Sequence, residues 1–225
     1  MKKEQYELLN NYMLEHTDGN AHDAYHIYRV LNQALQLAKN YKNINYDILI
    51  TSCLLHDIAR NKQFLDKTLC HAIEGGIMAY DFLKQNGYDE TFCEQVKQCI
   101  TTHRFRSDNQ PKSIEAKILF DSDKLDVMGA LGISRTLMYG GKLNRPLYLL
   151  DEDNKIDYNS NLEAKETFLG EYNIKLKNIY KKFYTKEAKR LAKKQNKIQR
   201  KFYNDLINQI DLQNFKTTIN KHINK

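Results

Sequence analysis

Apolar and polar positions along this chain alternate with the period of amphipathic helices, and the pattern predicts helices over about residues 3–15, 22–40, 46–60, 68–86, 89–103, 113–137, 161–184 and 186–212. The breaks between them have local causes. Thr17-Asp18-Gly19-Asn20 is turn chemistry, and Asn86-Gly87 supplies a left-handed helix end. Pro111 precedes a helix start for which Ser113 is the expected N-cap. Gly140-Gly141 ends the sixth helix and opens a loop through Pro146 to about Asn159, with Asp151-Glu152-Asp153 at its centre. The run Ile48-Leu49-Ile50-Thr51-Ser52-Cys53-Leu54-Leu55 is so apolar that its helix is expected to be buried nearly all round. Tyr180, Tyr184 and Leu191 recur at helical spacing, as a packing face would.

Composition sharpens the fold class. Among 225 residues only nine are Gly and two Pro, too few for a turn-rich sandwich, whereas 15 Tyr and 9 Phe need a core to pack into. The expectation is an all-α, helical-bundle protein of one domain: a helical core over 1–141, a loop over 142–159 and a basic helical cap over 160–225. No run approaches the length of a membrane span, and Met1-Lys2-Lys3-Glu4-Gln5-Tyr6 lacks the apolar centre of a signal peptide, so a cytoplasmic location is expected. Cys53, Cys70, Cys93 and Cys99 show no CxxC spacing and read as reduced packing residues. The charge is lopsided: residues 1–170 carry 20 Lys/Arg against 24 Asp/Glu, residues 171–225 carry 15 against 4. That basic segment suits a polyanion, with Tyr180, Phe183, Tyr184, Phe202 and Tyr203 as stacking candidates.

Candidate chemistry lies in four short pieces: His22-Asp23 through Val30, Leu54-Leu55-His56-Asp57, Thr101-Thr102-His103, and Asp121-Ser122-Asp123-Lys124-Leu125-Asp126. His56-Asp57 closes the most apolar helix of the chain. Burying an imidazole beside a carboxylate is costly unless something compensates both, and a divalent cation does so with the neutral His and ionised Asp forms present. At about 100° per residue, Asp123 shares a helix face with Ala116, Leu119, Asp126 and Ala130, and Asp121 points away to solvent or a neighbouring helix. His22, His26 and Arg29 form one stripe, with His26 deeper in the apolar run.

These motifs resemble the HD-domain metal-dependent phosphohydrolases, and most closely a small bacterial branch. The resemblance rests on His22-Asp23, His26 and Arg29-Val30, on Leu54-Leu55-His56-Asp57-Ile58, and on the long stretch from Asp121 through Gly129-Ala130-Leu131-Gly132-Ile133-Ser134-Arg135-Thr136 to Tyr139-Gly140-Gly141. It covers roughly residues 20–210. It implies an all-helical fold and the metal ligands His26, His56, Asp57 and Asp123. It also implies hydrolysis of nucleotides, triphosphates to monophosphate and pyrophosphate in some relatives. The chain departs from the family at Ile58-Ala59-Arg60, and His71 and His103 resemble the extra histidines of two-metal members.

Such a ligand set suits Mn²⁺, Fe²⁺, Co²⁺, Ni²⁺, Mg²⁺ or Zn²⁺, with a second ion left open. Asp57, His103, Lys124 and Asp126 are the expected catalytic residues. Arg29, His71, Arg135 and Tyr139 are expected to face the nucleotide, with Arg104 and Arg106 as further cations. Two rivals stand beside the hydrolase: a nucleic-acid binder using the basic segment, and a two-iron oxygenase, which would need several more ligands.

Overall fold

In a computed structural model, residues 1–17, 24–104, 109–210 and 215–223 are described, and these described residues form twelve α-helices, a short 3-10 helix and one minimal hairpin. The chain is all-α, as expected. It divides into two compact units, residues 1–126 with 183–190, and residues 127–182 with 191–225. The division thus falls inside the segment expected as a single core over 1–141, and residues 183–190 return to the first unit.

The first unit holds α1 (Lys3–Glu15), α2 (Ala24–Ala38), α3 (Tyr46–Leu55), α4 (Arg60–Leu65), α5 (His71–Gln85), α6 (Glu90–Thr101) and α7 (Ile114–Leu125). At its centre is α3, against which α1, α2, α6 and α7 all pack. Residues 51–59 are buried without a break, which is what the uninterrupted apolar run requires. Side chains start the helices: Asn45 accepts from the Asp47 and Ile48 amides, Asp89 from Phe92, and Ser113 from Ala116, the last as the sequence led one to expect. At the end of α5, Gly87 takes φ +79°, with its amide donating to Lys84 O and that of Tyr88 to Leu83 O. That pair of bonds is the Schellman end expected at Asn86-Gly87.

Asp121 explains why residues 183–190 belong to the first unit. It is fully buried and accepts from the Tyr184 amide (2.9 Å), the Thr185 amide (2.7 Å) and Thr185 Oγ1 (2.6 Å). The expected directions were solvent or a neighbouring helix; Asp121 is buried instead against Tyr184 and Thr185, the two residues just ahead of the helix that starts at Lys186.

The second unit is built from α8 (Gly129–Lys142), the hairpin β1 (Leu149–Leu150) and β2 (Ile156–Asp157), α9 (Leu162–Glu166), α10 (Phe168–Ile174), the 3-10 helix Leu176–Lys181, the rest of α11 (Lys186–Gln209) and α12 (Phe215–Ile223). Its core is aromatic: Tyr203 stacks on Tyr172 at 3.5 Å and on Phe168 at 5.0 Å between ring centres, beside Ile133, Leu169 and Leu176. Tyr203 is therefore spent on packing rather than offered as a stacking platform, and Phe183 is buried within the first unit.

Three expected helices are interrupted. The segment expected as 113–137 splits between α7 and α8, where Gly129 takes φ +64°, and Ala130 lands on an exposed surface rather than the inward face. Gly132 is also required, because a Cβ there would overlap the Val127 carbonyl. Residues 46–60 end as a helix at Leu55, leaving His56-Asp57 in a turn. The stretch 161–184 is recapped midway by Thr167, whose hydroxyl accepts from the Gly170 amide. The 142–159 loop folds back as the hairpin, its turn held by Asp151 Oδ1 accepting from the Asp153 and Lys155 amides. Among the described residues no helix is long and apolar enough to cross a membrane, and all four cysteines are free.

Candidate metal centre

Six chain segments of the first unit converge on one buried cluster. α2 brings His26 and Arg29, the turn after α3 brings His56 and Asp57, and α4 opens with Arg60. α5 begins with His71, His103 lies just past α6, and the last turn of α7 carries Asp123 and Lys124, with Asp126 beyond it. His26, His56, Asp57, His71, His103, Asp123 and Asp126 are all at most 6 % exposed.

Two groups of side chains that could each hold an ion are present within the cluster. One oxygen or nitrogen from each of His26, His56 and Asp123 lies within 4.8 Å of the others, and so it is for Asp57, His71 and His103. Asp57 joins them. Its Oδ2 is 3.6 Å from His26 Nε2 and 3.8 Å from His56 Nε2, while its Oδ1 is 3.4 Å from His71 Nε2 and 3.6 Å from His103 Nε2. His26 Nε2 is also 3.5 Å from Asp123 Oδ1.

The hydrogen bonds on the far side of each ring fix what faces inward. His26 Nδ1 donates to Asp126 Oδ2 at 2.7 Å, and His56 Nδ1 to Cys53 O at 2.8 Å. His103 Nδ1 donates to Ile100 O at 2.5 Å. In a neutral imidazole with its proton on Nδ1, Nε2 carries a lone pair. Three imidazole lone pairs thus point toward two carboxylates at separations too long for hydrogen bonds. His56 Nε2 is buried without a hydrogen-bond partner. Lone pairs facing carboxylates repel unless a cation lies between them, and nitrogen and oxygen donors at these separations suit a divalent ion with bonds of about 2.1 Å. The residues present therefore fit a metal, and the four ligands implied by the family resemblance lie together.

The electrostatics agree with ligand forms. Burial lowers the His56 pKa to about 4, assisted by the neighbouring imidazoles and opposed by Asp57 and Asp123, so the ring is neutral near pH 7. Burial also drives His71 far down. For Asp123 burial acts upward, but Lys124 and the surrounding histidines override it and hold the carboxyl well below the usual carboxylate range. Lys124 Nζ lies 2.5 Å from Asp123 Oδ2.

Of the other expected residues, Asp126 holds His26 and is gripped in turn by Arg29, Nε at 2.8 Å and Nη2 at 3.1 Å. Arg29 thus faces a carboxylate, with part of its side chain exposed. Arg104 donates to Cys70 Sγ. Arg135 and Tyr139 lie on α8 in the second unit and are not among the residues of the first that build this cluster. His22, Asp23 and Arg106 lie outside the described residues. The sequence assigned no role to Arg60 and gave no sign of Gln63. Arg60 Nε is 3.1 and 3.2 Å from the two oxygens of Asp57, and Gln63 Oε1 is 2.5 Å from His71 Nδ1. Arg60 was noticed only as a departure from the family pattern; Gln63, eight residues before His71, left no sequence signal.

The HD domain profile matches residues 23–128. The uncharacterized protein YpgQ of Bacillus subtilis (strain 168) is 30% identical over 136 residues, a stretch covering 58% of this chain and 63% of that protein. The chain therefore spans less than two thirds of that relative's length. The solved structure of B. subtilis YpgQ in complex with ADP superposes with a TM-score of 0.68 at 24% identity, over 92% of this chain and 100% of the other. An HD-superfamily hydrolase from Bacillus thuringiensis gives 0.67 at 26% identity over 93% and 98%. A Lactobacillus plantarum protein gives 0.72 at 22% over 92% and 96%. The profile spans all four implied ligands, so residues 23–128 of this chain match the HD domain, and the helical architecture is shared with the B. thuringiensis HD-superfamily hydrolase.

Proposed function

We propose that the protein is a divalent-metal-dependent phosphohydrolase of nucleotides, cleaving nucleoside or deoxynucleoside triphosphates to monophosphate and pyrophosphate. The observation that carries this reading is the convergence of His26, His56, Asp57 and Asp123 with their imidazole lone pairs turned inward. His26, His56, Asp57 and Asp123 would hold one ion; Asp57, His71 and His103 would hold a second. A divalent cation there supplies Lewis acidity toward a phosphoryl oxygen and acidifies water toward neutral pH. The protein's own groups do the rest. Asp126 fixes the His26 ring, Arg60 steadies Asp57, and the ammonium of Lys124, only partly exposed beside Asp123, offsets phosphate charge. The nucleotide as substrate is supported by the ADP complex of YpgQ, and hydrolysis by the likeness to the B. thuringiensis HD-superfamily hydrolase.

The test is release of phosphate and pyrophosphate from a panel of ribo- and deoxynucleoside mono-, di- and triphosphates with Mn²⁺, Co²⁺, Ni²⁺ and Mg²⁺, alongside Asp57→Ala. Pyrophosphate from triphosphates, absent in the variant, is the expected result. Phosphate from monophosphates alone would make the protein a nucleotidase. Equal turnover in Asp57→Ala would overturn the metal-dependent reading.

A second reading rests on α11, whose eight Lys/Arg residues are all exposed while Ala188, Ala192, Gln199 and Tyr203 face inward. Such a face suits a polyanion such as nucleic acid. Binding to RNA or DNA that weakens steeply with salt and survives loss of the metal ligands would favour it.

A further inference from the structure

His71 differs from the other three histidines of the cluster in what holds it. The Nδ1 atoms of His56 and His103 donate to main-chain carbonyls and that of His26 to a carboxylate, all of which only accept. His71 Nδ1 instead has two neighbours that make opposite demands. Gln63 Oε1 lies 2.5 Å away and can only accept, which calls for a proton on Nδ1. Arg60 Nη1 lies 3.2 Å away and can only donate, which calls for a lone pair there. The Gln63 amide is not free to flip, since its Nε2 donates to Leu69 O at 2.8 Å.

The two demands have opposite consequences on the other side of the ring. With the proton on Nδ1, His71 Nε2 turns a lone pair toward Asp57 Oδ1 and His103 Nε2, 3.4 and 3.2 Å away. His103 Nε2 already carries a lone pair, because its Nδ1 donates to Ile100 O. The two nitrogens then face each other as acceptors, an arrangement that asks for a cation. With the proton on Nε2, His71 donates to His103 or Asp57, and this second group closes on itself at the expense of an ion.

We propose that Gln63 and Arg60 set the tautomer of His71, with Gln63 selecting the Nδ1–H form and thereby keeping the second ion position of the cluster competent. The shorter contact and the anchored amide give Gln63 the advantage over Arg60. Arg60 adds a positive charge beside the same position through its contacts with both Asp57 oxygens. The second ion is therefore bound more weakly than the first and depends on a side chain that is not itself a ligand. Gln63 and Arg60 are positioning residues. The assignment rests on the two-position reading above only for its consequence, since the tautomer can be observed without metal.

The experiment uses the full chain labelled with ¹⁵N-histidine. Long-range ¹H–¹⁵N spectra of the metal-free protein distinguish Nδ1–H from Nε2–H rings, and chelator-competition titrations with Mn²⁺ and Co²⁺ count ions and rank their affinities. The wild type is expected to show His71 as Nδ1–H and to take two ions. In Gln63→Leu, His71 should move to Nε2–H, and the second ion should weaken about 10- to 100-fold with the first little changed. Gln63→Glu keeps the acceptor and should keep Nδ1–H, which separates loss of the hydrogen bond from a disturbed fold. Adding Arg60→Leu to Gln63→Leu should return part of the Nδ1–H population. An Nε2–H ring in the wild type, or an Nδ1–H ring unchanged in Gln63→Leu, overturns the proposal. A wild type that shows the expected tautomers but takes a single ion overturns the two-position reading and leaves the tautomer control standing.

Discussion

Replacing Asp126 by Asn removes one charge and almost no volume, yet it should weaken metal binding more than the loss of a charge alone. In the native cluster Asp126 Oδ2 accepts from His26 Nδ1 at 2.7 Å, while Arg29 contacts both oxygens at 2.8 and 3.1 Å. A carboxylate serves both neighbours because each of its oxygens accepts. An amide has one accepting end, and the donors of Arg29 recruit it. The NH₂ group then faces His26 Nδ1, which must accept, so the imidazole proton moves to Nε2. That atom is the one aimed between Asp57 and Asp123. Loss of a carboxylate behind a ligating histidine costs about 10- to 100-fold in metal affinity, or about 1.4 to 2.7 kcal/mol. The forced tautomer places Asp126→Asn near the upper end. Adding Arg29→Met frees the amide oxygen to turn toward His26 and should recover about tenfold, at little cost to folding because 39 % of the Arg29 side chain is exposed. Competition against a chromogenic chelator with Mn²⁺ or Co²⁺ reads both effects. An Asp126→Asn protein that binds within about twofold of wild type, or a double variant no tighter than the single, would refute the reasoning.

Two further outcomes concern stability. In the metal-free protein the fold favours neutral His56, whose pKa drops from its ordinary value to about 4, so the unfolded chain takes up the proton first as pH falls. Stability from this ring is full above about pH 6.5 and declines by about 3 kcal/mol as pH falls toward 4; urea midpoints of chelator-treated protein that stay flat across this window would contradict it. Gly132→Ala drives a methyl into the Val127 carbonyl and should destabilise the second unit by about 3 kcal/mol or more. A melting curve superimposable on wild type would show that the turn before α8 can yield.

Much of the architecture was legible because it follows from local chemistry. Ser113 and Asn86-Gly87 mark helix ends through bonds made within a few residues, and the apolar run before His56 demands burial whatever surrounds it. The inward turn of Asp123 followed from helical periodicity alone. The misplaced elements depend on contacts that periodicity does not encode. Leu125 to Ala130 continues a helical pattern, but Gly129 adopts a positive φ and the chain turns there. Thr167 reads as an ordinary helix residue until its hydroxyl is seen to cap the next helix. The roles of Arg60, noticed only as a departure, and of Gln63 were not legible for a different reason, since their importance lies in the groups they touch and not in any spacing of their own.

The ways in which the four imidazoles are held divide the cluster into two kinds of ligand. His56 and His103 donate to carbonyls three residues back, Cys53 and Ile100, in the last turns of α3 and α6. Carbonyls in a last helical turn lack their own helical partners, so ending a helix just before a histidine supplies an acceptor for its Nδ1 at no further cost in sequence. That arrangement explains why His56-Asp57 lies beyond α3 and not within it. The two rings are oriented by the backbone, and no single side-chain substitution can reverse their tautomers. His26 and His71 are oriented by the side chains of Asp126 and Gln63. Each ligand group therefore contains one ring fixed by the fold and one ring set by a replaceable residue. If both groups hold ions as proposed, metal affinity at each would change through residues that never touch an ion, while the helical frame that brings the side chains together stays as it is.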